Sequence, residues 1–315
     1  MTDLQSKSGL LRKCVLILNW NSYKDTIIAI DSLRGFPWPV AVIDNASRGT
    51  LDVNEIRGRF PDITLIENEE NLGYAGGMNV GMRWANSEGF THALLLNPDT
   101  LPTVEVMQAM DALSPNAAIV GTAQVTSDLK PYVSAAMLDG RKPRSFTCDD
   151  NCGLGHDVDI VSGAALLVEL ETAESVNYID ERFFHYKEEF DFCYRVRLAG
   201  GNILYSCDPK LVHKQGGSLS TTSPGAAYYW YRNEILFLKK HFGSFGWLSG
   251  LGIIRNAMLT LRRAPLTWTS AMRGVFHGIR GITGPSHRTS STLRPFDSVL
   301  FRSRRPEGER PERQL

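Results

Sequence analysis

At 315 residues the chain is long enough for one large domain or two smaller ones. Its 43% hydrophobic and 22% charged residues are ordinary for a folded globular protein and exclude a disordered or low-complexity chain. The formal net charge of zero hides an asymmetry: Arg255 to Leu315 holds twelve Arg and no Lys against Asp297, Glu307, Glu309 and Glu312, so the body is acidic and the end basic.

An acidic body gives no reason to expect a nucleic-acid partner. Met1 to Lys13 is polar and mixed, unlike a secretory leader, and no run of 18 apolar residues is present to span a bilayer. The five cysteines, Cys14, Cys148, Cys152, Cys193 and Cys207, are odd in number and scattered, which fits a reducing, cytosolic setting.

In chain order, Val15-Leu16-Ile17-Leu18 reads as a buried strand, followed by turn residues Asn19 to Ser22 and a helix from Thr26 to Leu33. Val40 to Ile43 is a second buried strand ending in Asp44-Asn45. Residues 52–59 read as a helix and Ile63 to Ile66 as a third strand. This rhythm predicts a parallel sheet with right-handed crossovers.

A glycine-dense loop, Asn71-Leu72-Gly73-Tyr74-Ala75-Gly76-Gly77-Met78-Asn79, then runs into a helix, since Ala75, Met78, Met82 and Ala85 keep helical spacing. The strand His92 to Leu96 delivers Asn97-Pro98-Asp99. Val104 to Leu113 reads as a helix and Ile119 to Thr122 as a strand. Residues 125–160 read as an irregular loop region, and order resumes over Val161 to Val168. A helix is expected near 189–199, a strand at Ile203 to Ser206 leading to Val212-His213, and a helix from Ala226 to Phe242. Residues 247–282 set Trp, Leu, Ile and Met among arginines, as amphipathic helices do, and the last thirty residues read as disordered.

Carboxylates at strand ends are the first candidates for chemistry, because ligands of open α/β sheets bind at the carboxyl ends of strands. Asp44 can accept a hydrogen bond from a base or ribose there, or can serve as a helix cap. The glycine loop can let backbone approach a phosphate, or can let its helix pack closely on the sheet. It is neither a G-x-G-x-x-G nor a P-loop. Asp99 supplies one hard oxygen ligand, which suits Mg²⁺ or Mn²⁺ sharing a diphosphate, although Asn-Pro-Asp is also common turn chemistry.

Glu188-Glu189-Phe190-Asp191 puts three acids at a helix start beside Phe183-Phe184-His185-Tyr186. Acids there complement the helix dipole, and Asp191 can pair with Arg195 at i, i+4. A carboxylate among aromatics can equally act as a general base. Glu189 and Asp191 point to different sides of a regular helix, so one of them at most is the base. His213, before a glycine pair, is a candidate third metal ligand. Cys148, Cys152 and His156 have loose metal spacing and lack a fourth ligand.

As a set, Val15–Asn21, Val42–Asn45, Asn71–Asn79, Leu94–Thr100, Val161–Val168, Phe183–Arg197 and Val212–Ser218 resemble the inverting glycosyltransferases of family 2. The closest likeness is to the rhamnosyltransferase-like branch of bacterial surface-polysaccharide synthesis. Tyr231-Arg232-Asn233 and Gly278-Ile279-Arg280-Gly281 look like that branch too.

The resemblance implies a GT-A fold, a Rossmann-like and mostly parallel sheet flanked by helices, with a helical C-terminal extension. The expected division is a catalytic domain over 1–242, amphipathic helices over 243–285 and a basic tail over 286–315. It implies that Asn19, Asn21, Asp44, Asn45, Gly73, Tyr74, Gly76, Gly77, Asn79 and Asn97 meet a nucleotide-sugar donor. Asp99 and His213 would hold Mg²⁺ or Mn²⁺. The base falls on Glu189, with Asp191 beside it, where the family usually has Asp at the Glu189 position. The acceptor would be a saccharide or polyprenyl-linked saccharide, and the basic region, with Trp247, Leu248, Leu251, Ile253, Ile254 and Trp268, could rest on the anionic inner face of a cell membrane.

Two other classes compete. A nicotinamide-dependent oxidoreductase lacks its glycine fingerprint here. A nucleotide-binding scaffold without turnover is allowed by Asn97, where many relatives outside the branch carry Asp, and by Glu189.

Overall fold

A computed structural model describes residues 11–48, 50–140, 142–148, 155–214, 223–243 and 265–286. Strand β1 (Lys13–Asn19) is buried along its whole length and lies between two parallel neighbours, β2 (Val40–Asp44) and β4 (His92–Leu96). A strand covered on both faces must be apolar throughout, which is why Cys14 to Leu18 shows no alternation. Helices α1 (Tyr23–Ser32) and α2 (Thr50–Arg59) make the crossovers to β2 and β3 (Thr64–Glu67), and β3 pairs parallel with β2. Helix α3 (Gly73–Ser87) leads back to β4.

Beyond β4 the sheet becomes mixed. Strand β12 (Ala165–Glu169) runs antiparallel between β4 and β6 (Ile119–Val125), and β13 (Ile203–His213) runs parallel to β6. Short β5 (Thr100–Leu101) pairs with the end of β13, and β7 (Pro131–Tyr132) with the end of β6. Helix α4 (Val104–Leu113) covers β6 and β13, with the Thr103 side chain capping it through the Val106 N–H.

Residues 125–160 are more regular than the sequence suggested. After β7, strands β8 (Ala135–Asp139) and β9 (Lys142–Ser145) form a hairpin, β10 (His156–Asp157) joins the edge of β13, and β11 (Ile160–Val161) joins β8. Their brevity, with two to five residues each, left no periodicity to read. The expected strand over 161–168 is accordingly divided between β11 and β12. Cys148 and Cys207 are joined by a disulfide, while Cys14 and Cys193 are free and buried. That pairing, made across 59 residues of sequence, removes the cysteine argument for a reducing setting.

Helix α5 (Leu170–Ser175) follows β12, and α6 (Glu188–Leu198) precedes β13. Helix α7 (Pro224–Phe242) starts at a Ser223 cap and ends at Gly243. Helix α8 (Pro265–Arg280) packs along α7, with Gly278 so placed that a Cβ would lie 2.7 Å from the Arg232 carbonyl oxygen. Residues 244–264 and 287–315 lie outside the described residues, and with them Trp247, Leu248, Leu251, Ile253, Ile254 and the tail. Among the described residues no helix is long and apolar enough to cross a membrane.

Candidate active site

The carboxyl ends of β1 and β2 meet in one polar network. Their register sets Asn19 beside Asp44, and the Asn19 amide donates to Asp44 Oδ1 at 2.7 Å while its own oxygen accepts from Thr26. Asp44 also accepts from the Ser47 hydroxyl at 2.6 Å and from the Ser47 N–H at 3.1 Å. Asn21, with φ near 54°, accepts from the Arg48 N–H. Asn45 ties this end of the sheet to the glycine loop: its amide donates to Asn71 and to the Gly73 carbonyl, and its oxygen accepts from Asn68 and the Leu72 N–H. Ser47, Thr26 and Asn68 were not singled out in sequence, since small polar residues in turns carry no distinctive pattern.

In the glycine loop and the helix it opens, Gly77 faces Leu18 and Gly81 faces Ile43 and Leu16, so these two let α3 lie close on β1 and β2, while Gly76 leaves room for Leu72, where a Cβ would lie 2.7 Å from that side chain. Asn79 is reassigned: it is buried, its amide donates to the Ile179 carbonyl and Glu181, and its oxygen accepts from the Ile179 N–H. With every polar atom so used it belongs to the scaffold.

Gly73 has φ near 71°, and a Cβ there would strike the Phe184 carbonyl and lie 2.7 Å from its ring. Gly73→Ala is expected to lower stability by at least about 2 kcal/mol, read as a shifted urea midpoint at unchanged slope.

Asp99 and His213 are brought together because β5 and β13 pair, with His213 opposite Thr100. His213 Nε2 lies 3.3 Å from Asp99 Oδ1, and its Nδ1 is held by Gln124 at 3.1 Å. The Asp99 carbonyl accepts from the Lys214 N–H, which fixes the strand end. Asn97 stands two residues before, half-buried, its side chain without a partner among the described residues. Tyr132 packs edge-on against His213 with ring centres 5.6 Å apart.

Glu189 comes near this strand end at Gly163, where a Cβ would lie 3.5 Å from that of Glu189, and the next residue, Ala164, accepts from the Asn97 N–H. The Oε2 of Glu189 and that of Glu188 are each buried without a hydrogen-bond partner among the described residues. Burial pushes both carboxyls above the usual range, and the Glu189 charge adds to the rise at Glu188. Tyr74 lies over them, donating to the Gly163 carbonyl at 2.5 Å, and its phenol is pushed well up by burial and by the two glutamates. Tyr132 is raised by burial and by the charges of Glu189 and Asp99 together. Tyr186, pushed up to about 12 by burial first, also lies in the field of Glu188, Glu189 and Asp99. Tyr132 and Tyr186 therefore mark the ground shared by the strand-end aspartate and the acid pair. Sequence reading missed Tyr132, which lay in the stretch read as loop.

Asp191 does not belong to this ground. It is fully buried, with Oδ2 2.7 Å from Arg195 Nε, and Oδ1 2.6 Å from Lys240 Nζ and 2.7 Å from His241 Nε2. Hydrogen bonding from His241 and the charges of Arg195 and Lys240 outweigh burial and hold its carboxyl far below the usual range. A carboxylate that is fully buried, held by three side chains and kept so far below the usual range is a weak base, so Asp191 is withdrawn as a candidate.

The sheet order and flanking helices are those of the GT-A glycosyltransferases. GalNAc-T7, crystallised with UDP, GalNAc and Mn²⁺, superposes with a TM-score of 0.59 at 13% identity, over 78% of this chain and 53% of that one. Residues 1–349 of S. aureus TarS give 0.50 at 16% identity, over 72% and 65%. In both cases this chain spans less than two thirds of the neighbour, and the likeness is one of fold.

The sequence model of glycosyl transferase family 2 matches residues 14–171, half of the chain, and the chain belongs to that family. The low-salt glycan biosynthesis hexosyltransferase Agl10 of Haloferax volcanii is 26% identical over 292 residues, covering 87% of this chain and 93% of its own. An uncharacterized protein of Mycobacterium tuberculosis is 26% identical over 218 residues, covering 64% of this chain and 77% of its own.

Proposed function

We propose that this glycosyltransferase moves a hexosyl group, rhamnose from dTDP-rhamnose being the first donor to try, from a nucleoside diphosphate to a hydroxyl of a saccharide or polyprenyl-linked saccharide. The observation that carries the reading is Asp99 beside His213, with Tyr132 and Tyr186 in the field of both Asp99 and Glu189, whose Oε2, like that of Glu188, is buried without a hydrogen-bond partner among the described residues. The hexosyltransferase named among the similar proteins supports the substrate class, and the resemblance to the rhamnosyltransferase-like branch supports the sugar.

Glu189 takes the proton of the acceptor hydroxyl as that oxygen bonds to the anomeric carbon, and the bond from that carbon to the diphosphate oxygen breaks on the opposite face. One carboxylate suffices, and the product is inverted. Burial suits Glu189 to this task, because a carboxylate raised toward neutral pH is a stronger base. The nucleoside is assigned to the Asn19, Asn21, Asp44 and Asn45 end of the sheet, where open α/β sheets bind ligands.

No cluster of three metal-ligating side chains occurs among the described residues. An imidazole nitrogen and a carboxylate oxygen facing each other still fit Mg²⁺ or Mn²⁺, which keep waters and accept diphosphate oxygens. Asp99 and His213 would hold the ion, which when bound supplies positive charge against the departing diphosphate. Contact with an anionic membrane face is also proposed, supported by exposed Phe276 and Ile279 beside Arg273 and Arg280 on α8.

The test is transfer and hydrolysis across a panel of nucleotide sugars with Mg²⁺, Mn²⁺ or EDTA. Turnover is expected with one donor and is expected to fall roughly 100-fold or more with EDTA or in Asp99→Ala. Tight nucleotide binding with no turnover for any donor would sink the enzyme reading and favour a binding protein.

A further inference from the structure

The turn entering α6 is strained. Phe184, Tyr186 and Lys187 have φ near 66°, 65° and 68°, a region that non-glycine residues occupy at a cost of about 1–3 kcal/mol each. Such a turn persists only if its surroundings over-determine it, and here the Ala75 N–H of α3 reaches the Phe184 carbonyl while α7 supplies the clamp. Three consecutive residues of α7 hold it.

Arg232, fully buried, donates to the Phe183 carbonyl at 2.6 Å and to the Arg182 and Gly284 carbonyls. Asn233, also fully buried, turns one amide nitrogen to the carbonyls of Phe183, His185 and Tyr186 at 2.8, 2.8 and 2.6 Å. Glu234 binds the Lys187 ammonium at 2.8 Å, and that ammonium lies 3.9 Å from the Phe190 ring centre and 4.1 Å from that of Trp230. Lys187 is the residue immediately before Glu188, so the clamp ends where the acid pair begins.

We infer that Arg232, Asn233 and Glu234 are positioning residues: they fix the strained turn from which Glu188 and Glu189 begin α6, and Glu234 sets how much of the Lys187 charge Glu189 feels. The inference rests on the proposed role of Glu189. A helix that only needed packing would use apolar side chains there, since burying an arginine and an amide costs free energy unless every polar atom finds a partner. Here the partners are the carbonyls of one turn.

The charged and titratable groups facing Glu189 come from every side: Lys187 and Glu188 before it, Tyr186 in the turn, Cys193 on α6, Tyr74 on α3 and Tyr132 on β7. Among these the Lys187 ammonium is the group that favours the ionised base. Replacing Glu234 by Gln leaves that ammonium uncompensated and should lower the pH at which the pair ionises. Replacing Lys187 by Met should raise it.

Glu carboxyl carbon-13 resonances, with Glu188 and Glu189 assigned by their loss in the Gln variants, report this titration in full-length protein without needing turnover. Glu234→Gln is expected to move the pair's titration down, and Lys187→Met up, each by about half a pH unit or more. The acid limb of kcat/KM should move the same way. Asn233→Ala is expected to lower kcat roughly 10- to 100-fold with nucleotide affinity unchanged.

Shifts of one common sign in the two charge variants, or none, would overturn the assignment, as would an Asn233→Ala enzyme of lowered stability but normal kcat. Opposed shifts in a protein that transfers no sugar would leave the clamp standing and remove the transferase reading.

Discussion

Glu189→Gln is expected to lower sugar transfer by roughly 10²- to 10⁴-fold while leaving nucleotide affinity within a few-fold of wild type. The amide matches the carboxylate in shape but cannot accept a proton at neutral pH. A base with a raised pKa works above that value, so in wild type the rate should fall as pH drops through it, and this acid limb should disappear in the variant. Glu188→Gln provides the contrast. It removes a neighbouring negative charge, so the limb should move to lower pH with turnover retained.

The same burial predicts an effect on stability of opposite sign. A carboxyl whose folded pKa is raised contributes stability below the unfolded value of about 4.3, and loses it as pH rises toward the folded value. Above the folded value the ionised group therefore costs stability, and there Glu189→Gln should melt no lower than wild type. A variant that is dead yet no less stable is the signature of an active-site charge kept for chemistry. If instead Glu189→Gln retains turnover, the base lies elsewhere.

Local pattern carried the first half of the fold well. The alternation of four mainly apolar runs with helical segments up to Leu96 follows from burial in a parallel sheet, nearly complete at β1, β2 and β4 and partial at the edge strand β3. From Pro131 to Val161 the strands are two to five residues long, too short for a period to expose them.

The site divides in the same way. Asp99, His213 and Glu189 stood out as candidates because a carboxylate or imidazole at a strand end, or an acid among aromatics at a helix start, already suggests chemistry. The packing of Asn79, Gly76, Gly77 and Asp191 was not legible, because a buried amide bonded to Ile179, a glycine against Leu18 and a carboxylate ringed by Arg195, Lys240 and His241 are facts of tertiary structure. The sequence named Arg195 as an i, i+4 partner for Asp191, and that pairing is real. The helix over 226–242 was expected too, but not its packing, which brings Lys240 and His241 to the same carboxylate.

That convergence makes Asp191 the residue whose loss should damage the fold most. Asp191→Ala is expected to cost about 3–5 kcal/mol, since removing one member of a buried ion cluster strands the others. Arg195, Lys240 and His241 would then face one another around an empty site. In a chain of this size the thermal midpoint should fall by roughly 5–15 °C.

The pH dependence fixes the sign. A carboxylate whose folded pKa is depressed contributes stability that is full above the unfolded value of about 3.9 and is lost as pH falls below it. The gap in melting temperature between wild type and Asp191→Ala should therefore be widest near pH 7 and shrink toward pH 3. Well below its melting temperature the variant should keep kcat within a few-fold, because none of the three partners of Asp191 lies among the groups that surround Glu189. A variant with normal melting and no turnover would reverse the assignment and make Asp191 the base. The two neighbouring acids of one helix would then have exchanged roles, with the ion cluster surviving on Asp180, which also binds Lys240.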